Sequence, residues 1–231
     1  MDIPEIGGAL NTEDEVKLEV EIDYSPPRLT IGEGLDEIEI LPEVHTYTLY
    51  FDSSDGALSN ESMALRFRYR LGVDHASTLG GRIHPEGDQL GVWALKTKGE
   101  VIEADGVRTT SRIEIEDRST FSEMPGNIVH AFPLVAEKFG SLVLVAALES
   151  RRNSHIIGAR GSRLIEIDDD IVNVIDLCQP SKSKLTFREI ELELLDKSAV
   201  ALRSTLVSSF LEAGAKYASA GSKLERAISG S

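Results

Sequence analysis

The chain has 231 residues, 41% of them hydrophobic and 27% charged, which is apolar enough to exclude disorder and sufficient for one all-β or barrel-like domain spanning 1–231, with 1–11 as an N-terminal extension. Its formal charge of −15 argues against capture of nucleic-acid duplexes or anionic membranes, because the far field repels polyanions. Cys178 is the only cysteine, so an internal disulfide is excluded and a reducing, cytoplasmic setting is expected, with Cys178 buried or a bystander at a strand end.

The amino terminus shows no basic region leading into an apolar core, so no signal peptide is expected. The longest apolar run, 142–148, is far shorter than the roughly 20 residues of a membrane span. Period-two alternation predicts strands at 14–23, 44–52, 62–70, 91–98, 106–116, 143–158, 162–169 and 185–195, enough for a closed barrel. Turn chemistry separates them at 53–56, 105–106 and 158–162, and short connections favour antiparallel neighbours. The Gly- and His-bearing stretch 72–91 is expected to be a mobile surface loop, leaving His75 and His84 in solvent rather than on a metal. Helices are expected at 27–38, in a crossover at 124–139, at 197–213 ahead of Gly214, and after Ser222.

Charge is distributed unusually along these strands. Arg66, Arg68 and Arg70 alternate with Leu65, Phe67 and Tyr69, and Glu189, Glu191 and Glu193 alternate with Ile190, Leu192 and Leu194. Glu13, Glu15 and Lys17 share a face in the same way. Residues i, i+2 and i+4 of a strand lie on one face, so each row stacks its charges about 7 Å apart. Like charges so placed repel one another and ask for a partner. If the charged faces point into a barrel and the aliphatic faces pack outward under helices, the interior is a tunnel of acids and bases, tolerated only with pairing and a bound ligand. A polyphosphate carrying divalent metal satisfies both rows.

Several blocks then resemble one known superfamily. Glu13-Asp14-Glu15-Val16-Lys17 matches the ExExK signature that opens the CYTH domain, also called the triphosphate tunnel metalloenzyme fold. Tyr50-Phe51-Asp52, Ala64 to Arg68, Trp93 to Lys96, Arg112 to Glu116, Ser150-Arg151-Arg152, Glu166 to Asp169, Glu189 to Glu193 and Ser222 to Arg226 follow in the family's order. The resemblance covers nearly the whole chain.

This resemblance implies an α+β fold, a closed eight-stranded antiparallel β-barrel with flanking helices, binding a small-molecule triphosphate and Mg²⁺ or Mn²⁺. By motif position the metal ligands are Glu13 and Glu15 with two of Glu189, Glu191 and Glu193, as suits hard cations. Lys17, Arg66, Arg68, Lys96, Arg112, Arg151 and Lys223 would contact phosphates. Asp168 would lie near the metal or the water, with Lys17 or Lys223 neutralising the transferred group. Arg70, Lys98, Arg152 and Arg226 are outer candidates. Inorganic tripolyphosphate ranks first among substrates. Thiamine triphosphate would want an aromatic platform, and Trp93 falls on the aliphatic parity. The cyclase-like members carry a His-Phe element before ExExK, where this chain has Leu10-Asn11-Thr12. Long-chain polyphosphate ranks lower because no histidine-rich helical domain follows. A non-catalytic polyphosphate or nucleotide sensor is the alternative of another class, and the oligomeric state stays open.

Overall fold

The computed structural model describes residues 10–29, 37–71, 84–104, 106–219 and 221–229. Its strands are β1 (Leu10–Val20), β2 (Glu37–Ile40), β3 (Val44–Ser53), β4 (Ala64–Arg70), β5 (Leu90–Lys96), β6 (Glu100–Ala104), β7 (Val107–Thr120), β8 (Leu142–Ala159), β9 (Ser162–Ile175), β10 (Ser183–Leu194) and β11 (Lys216–Tyr217). The helices are α1 (Ala57–Asn60), α2 (Gly126–Val129), α3 (Pro133–Lys138), α4 (Val200–Glu212) and α5 (Lys223–Ser229). All pairings are antiparallel, in the order β1-β10-β9-β8-β3-β4-β5-β7. A further β7–β1 pairing, from Leu10↔Ile115 to Glu15↔Thr110, closes this path into an eight-stranded barrel. β2, β6 and β11 extend the edges of β8, β7 and β1.

The period-two pattern sorts the side chains as expected. Val16, Leu18, Ile165, Ile167, Ile190 and Leu192 point outward and are covered by Val207 and Phe210 of α4. On the opposite wall Leu65, Phe67, Trp93, Leu95 and Ile115 pack under Leu58, Ile128 and Val135 of the short helices. These outer clusters remove apolar area from water at about 25 cal/mol per Å², leaving the charged parity inside. One part of the interior is apolar, where Leu224 and Ala227 of α5 join Tyr50, Leu148, Val172, Val174 and Phe187. That packing draws Lys223, the first residue of α5, into the barrel.

Local chemistry fixes the connections. The hairpin between β8 and β9 turns on Arg160 and Gly161, both at positive φ (53° and 78°), as a two-residue loop matched to strand twist requires. Asp52, next to last in β3, accepts the backbone N–H groups of Leu58 and Ser59 at 2.8 and 3.0 Å and so ties the first turn of α1 to the strand. Gly214, at φ 103°, stops the chain after α4.

Two expectations need correction or limitation. Residues 37–40 form a strand, not the end of a helix beginning at Pro27, because Glu37-Ile38-Glu39-Ile40 has strand alternation and β8 extends beyond β3 to offer it an edge at 155–158. Residues 27–29 are irregular, as the Pro26-Pro27 pair favours, and 30–36 lie outside the described residues. The loop at 72–91 is described only from residue 84, so His75 also lies outside, as do 1–9 of the expected extension. Among the described residues no helix is long and apolar enough to cross a membrane.

Candidate active site

The barrel interior encloses a cavity of about 240 Å³, lined by Glu13, Glu15 and Lys17 of β1 together with charged residues of six other barrel strands and of α5. Sheet register sets its layers. Glu15 lies opposite Glu193, and Glu193 opposite Glu166; Lys17 lies opposite Glu191, and Glu191 opposite Asp168; Glu189 lies opposite Asp170, and Asp170 opposite Arg152.

At one end Lys223 brings its ammonium to Glu189 (2.6 Å), Asp170 (2.9 Å) and Glu191 (3.0 Å). Arg152 grips Asp170 from two nitrogens at 2.5 and 2.8 Å, and also contacts Asp168 and Glu191. Asp168 accepts the hydroxyl of Ser154 at 2.5 Å. Burial alone would raise the Glu191 carboxyl, but Lys17, Lys223 and Arg152 outweigh it and hold it well below the ordinary range. The same contest, won by Lys223 and Arg152, leaves Asp170 at about 2. Asp168 goes the other way, because burial exceeds the effect of Arg152.

Across the cavity Lys17 reaches Glu191 at 2.5 Å and Glu15 at 3.3 Å. Arg112 bonds Glu15 and approaches Glu13 at 3.5 Å, Lys96 bonds Glu13 at 2.7 Å, and Arg66 bonds Glu114 at 2.8 Å. Arg68 differs. Its Nε donates to Thr48 Oγ1 at 3.2 Å, and among the described residues no carboxylate lies within ion-pair distance of it. Burial, then Arg66 and Arg152, push its guanidinium down to about 10. Glu193 is the acidic counterpart: burial first, then Glu13 and Glu166, push its carboxyl up to about 8.

No protein-family model matches the sequence, and no curated protein matches it either. Solved structures do. An adenylyl cyclase candidate from Hippeastrum, described as having a dominant triphosphatase activity, superposes with a TM-score of 0.57 at 18% identity, over 94% of this chain and 96% of its own. An adenylate cyclase candidate from Bacillus halodurans gives 0.55 at 15% identity, over 92% and 95%. The chain has the triphosphate tunnel fold.

The tunnel brings together Glu13, Glu15, Lys17, Arg66, Arg68, Lys96, Arg112, Asp168, Glu191, Glu193 and Lys223, with Glu189 beneath them on Lys223. It does not bring Arg151. That side chain is half exposed and lies 3.5 Å from Glu43 on the barrel surface, because 152 rather than 151 has the inward parity of β8. Arg152 takes the interior place. Asp169 likewise points out, bonding Arg188 at 2.7 Å, while Asp170 is fully buried in the tunnel and was not singled out in the sequence. The Asp168-Asp169-Asp170 run hid it, since parity alone marks 168 and 170 as the inward pair. Arg70 is exposed, and Arg226 stacks over the Phe187 ring at 4.2 Å. Trp93 is buried in the outer wall and donates to the carbonyl of Thr120.

Among the described residues one carboxylate group brings its oxygens close enough to hold a cation. Asp170, Glu189 and Glu191 bring oxygens within 4.8 Å of one another, but the Lys223 ammonium already sits among them. Glu13, Glu15, Glu166 and Glu193 share the cavity, Glu13 carrying Lys96 and Arg112 and Glu15 carrying Lys17 and Arg112, while Glu193, raised by burial first and then by Glu13 and Glu166, has no such cation on it among the described residues. Donor sets made of carboxylate oxygens alone suit hard cations such as Mg²⁺ or Mn²⁺.

Proposed function

We propose that the protein is a metal-dependent triphosphatase acting on the terminal phosphate of a small triphosphate, with inorganic tripolyphosphate as the leading substrate. The observation that carries this reading is Arg68: a guanidinium inside the tunnel with no carboxylate partner among the described residues, between two further arginines. Such a group is built to meet an anion from outside the chain. The dominant triphosphatase activity described for the Hippeastrum protein supports it.

Seven cationic and eight carboxylate side chains line the cavity. A polyanion therefore enters in charge balance only with divalent cations. Glu13, Glu15 and Glu193 would hold them, with Glu191 or Glu189 completing the set, and the chemistry a Mg²⁺ or Mn²⁺ held by these carboxylates would supply is neutralisation of phosphate charge. Arg66, Lys96, Arg112 and Arg152 would exchange carboxylate partners for phosphate oxygens, and Arg68, without such a partner among the described residues, would meet them directly. Lys17 and Lys223, each kept protonated because neighbouring carboxylates outweigh burial, would neutralise charge on the transferred group. Asp168 would orient the attacking water. Water adds to the terminal phosphorus, the bridging P–O bond breaks, and the leaving oxygen departs with pyrophosphate when the substrate is tripolyphosphate. Positioning and charge neutralisation supply most of the rate, so no serine or cysteine intermediate is needed.

A chamber of about 490 Å³ adjoins the tunnel, sharing Lys17, Ala64, Arg112 and Ser222 and walled by Met63, Val101, Tyr217, Leu224 and Ile228. It favours a second reading, in which ATP or thiamine triphosphate places its organic part there. The test is phosphate release from tripolyphosphate, ATP and thiamine triphosphate with Mg²⁺ or Mn²⁺ against EDTA, with cyclic AMP assayed alongside. Metal-dependent release selective for tripolyphosphate supports the leading reading. Cyclic AMP without phosphate would replace it with a cyclase, and tight binding without turnover with a sensor.

A further inference from the structure

Helix α4 buries three side chains at helical spacing, Arg203, Val207 and Phe210. Val207 and Phe210 belong to the outer apolar cluster. Arg203 shares their stripe and is only 5% exposed. Among the described residues it has no carboxylate within ion-pair distance, and its Nε has no hydrogen-bond partner. A buried cation satisfied by neutral acceptors alone is costly where a leucine would pack, so its contacts should account for its presence.

Those contacts are specific. Nη1 donates to the backbone carbonyl of Asp14 at 2.9 Å, and Nη2 to Thr109 Oγ1 at 3.1 Å. Asp14 is on β1 and Thr109 on β7, the two strands whose pairing closes the barrel. In that pairing Glu15 lies opposite Thr110 and Glu13 opposite Arg112, while Glu15 is also where β1 takes up β10 through Glu193. Asp14 separates the two inward glutamates of β1. One guanidinium thus ties the strand carrying Glu13 and Glu15 to the strand carrying Arg112, from outside the tunnel.

We propose that Arg203 is a positioning residue: by stapling β1 to β7 at Asp14 and Thr109, it sets the height of the Glu13–Glu15 carboxylates against Arg112 and Glu193, and so tunes the cation affinity of the tunnel. This rests on the metal-dependent reading above. It assigns no contact between Arg203 and substrate.

The experiment compares Arg203→Met, Arg203→Lys and, as a control on the same helix face, Val207→Ala. Amide hydrogen exchange of 10–15 and 109–115 is followed in metal-free protein, and Mn²⁺ binding is titrated without substrate by electron paramagnetic resonance. Arg203→Met is expected to speed exchange across the seam and to weaken Mn²⁺ binding by about 10- to 100-fold, the usual cost of losing a group that orients metal ligands. Arg203→Lys, which can still reach one acceptor, should recover part of the affinity. Val207→Ala should lower the melting temperature while leaving the seam and Mn²⁺ affinity near wild type. Unchanged seam exchange in Arg203→Met overturns the staple, and unchanged Mn²⁺ affinity overturns the positioning role. Wild-type protein that binds no Mn²⁺ also overturns the positioning role as stated. That last failure belongs to the metal reading itself, and the exchange data, which need no metal, tell the two apart.

Discussion

Arg152 and Asp170 form a two-pronged pair inside the barrel, with Nε and Nη2 each donating to a different oxygen of one carboxylate, at 2.8 and 2.5 Å. Asp170 has no exposed surface. Lys223 takes the same carboxylate from α5, so the pair connects a barrel wall to the helix that fills one part of the interior. The network is structural before any ligand arrives. It also holds the charges that a phosphate would redistribute.

Removing one member of a buried pair strands the other. Arg152→Ala is expected to cost about 3–5 kcal/mol of folding stability, whereas Arg151→Ala, on the surface beside Glu43, should stay within about 0.5 kcal/mol. Urea unfolding of the two variants checks this, and equal losses would contradict the placement of β8.

Arg68 and Arg66 should separate affinity from stability. Arg68→Ala removes a cation without a carboxylate partner, so the free protein should fold as well as wild type while substrate binding weakens by about 2–4 kcal/mol. Arg66→Ala removes the partner of Glu114 and should lower both. Calorimetric binding of tripolyphosphate alongside thermal melts gives the comparison; undiminished affinity in Arg68→Ala would remove the main support for an anion in the tunnel.

Glu193 predicts an unusual pH response. Its folded carboxyl titrates at about 8, above the ordinary value of 4.5, so between those limits the folded state keeps a proton that the unfolded state has lost. Stability of metal-free protein should therefore fall as pH rises from about 4.5 to 8 through this group. Glu193→Gln should melt higher than wild type in EDTA at pH 8 and at nearly the same temperature near pH 4. Added Mn²⁺ should stabilise wild type at pH 8 more than the variant.

Cation removal is the companion test. EDTA should abolish phosphate release, and Glu15→Gln, confirmed folded by circular dichroism, should lose roughly tenfold or more in metal-dependent rate. Full turnover in Glu15→Gln would rule out the β1 carboxylates as the cation site.

The sequence by itself determined the barrel and its polarity. All eight barrel strands follow from period-two alternation, and the single-sign rows at Arg66/Arg68/Arg70 and Glu189/Glu191/Glu193 ask for partners, because like charges two residues apart cannot be relieved within their own strand; that they line a barrel interior is implied by the family resemblance, and the structure bears it out for all but Arg70. Alternation also placed Trp93 outside. Only the tertiary structure decided which charges meet. Arg151 and Arg152 are adjacent arginines whose roles depend on β8 parity, and in the run of three aspartates parity marks 168 and 170 as inward while register with β10 sets Asp168 against Glu191 and Asp170 against Glu189. The pairing of Lys223 with Asp170, Glu189 and Glu191, the separation of Arg68 from every described carboxylate, and the reach of Arg203 to β1 and β7 depend on strand stagger and helix docking. Those are properties of closure: a barrel fixes each residue's neighbours through its last pairing, between strands nearly a hundred residues apart, and no local pattern records which rows that pairing will align.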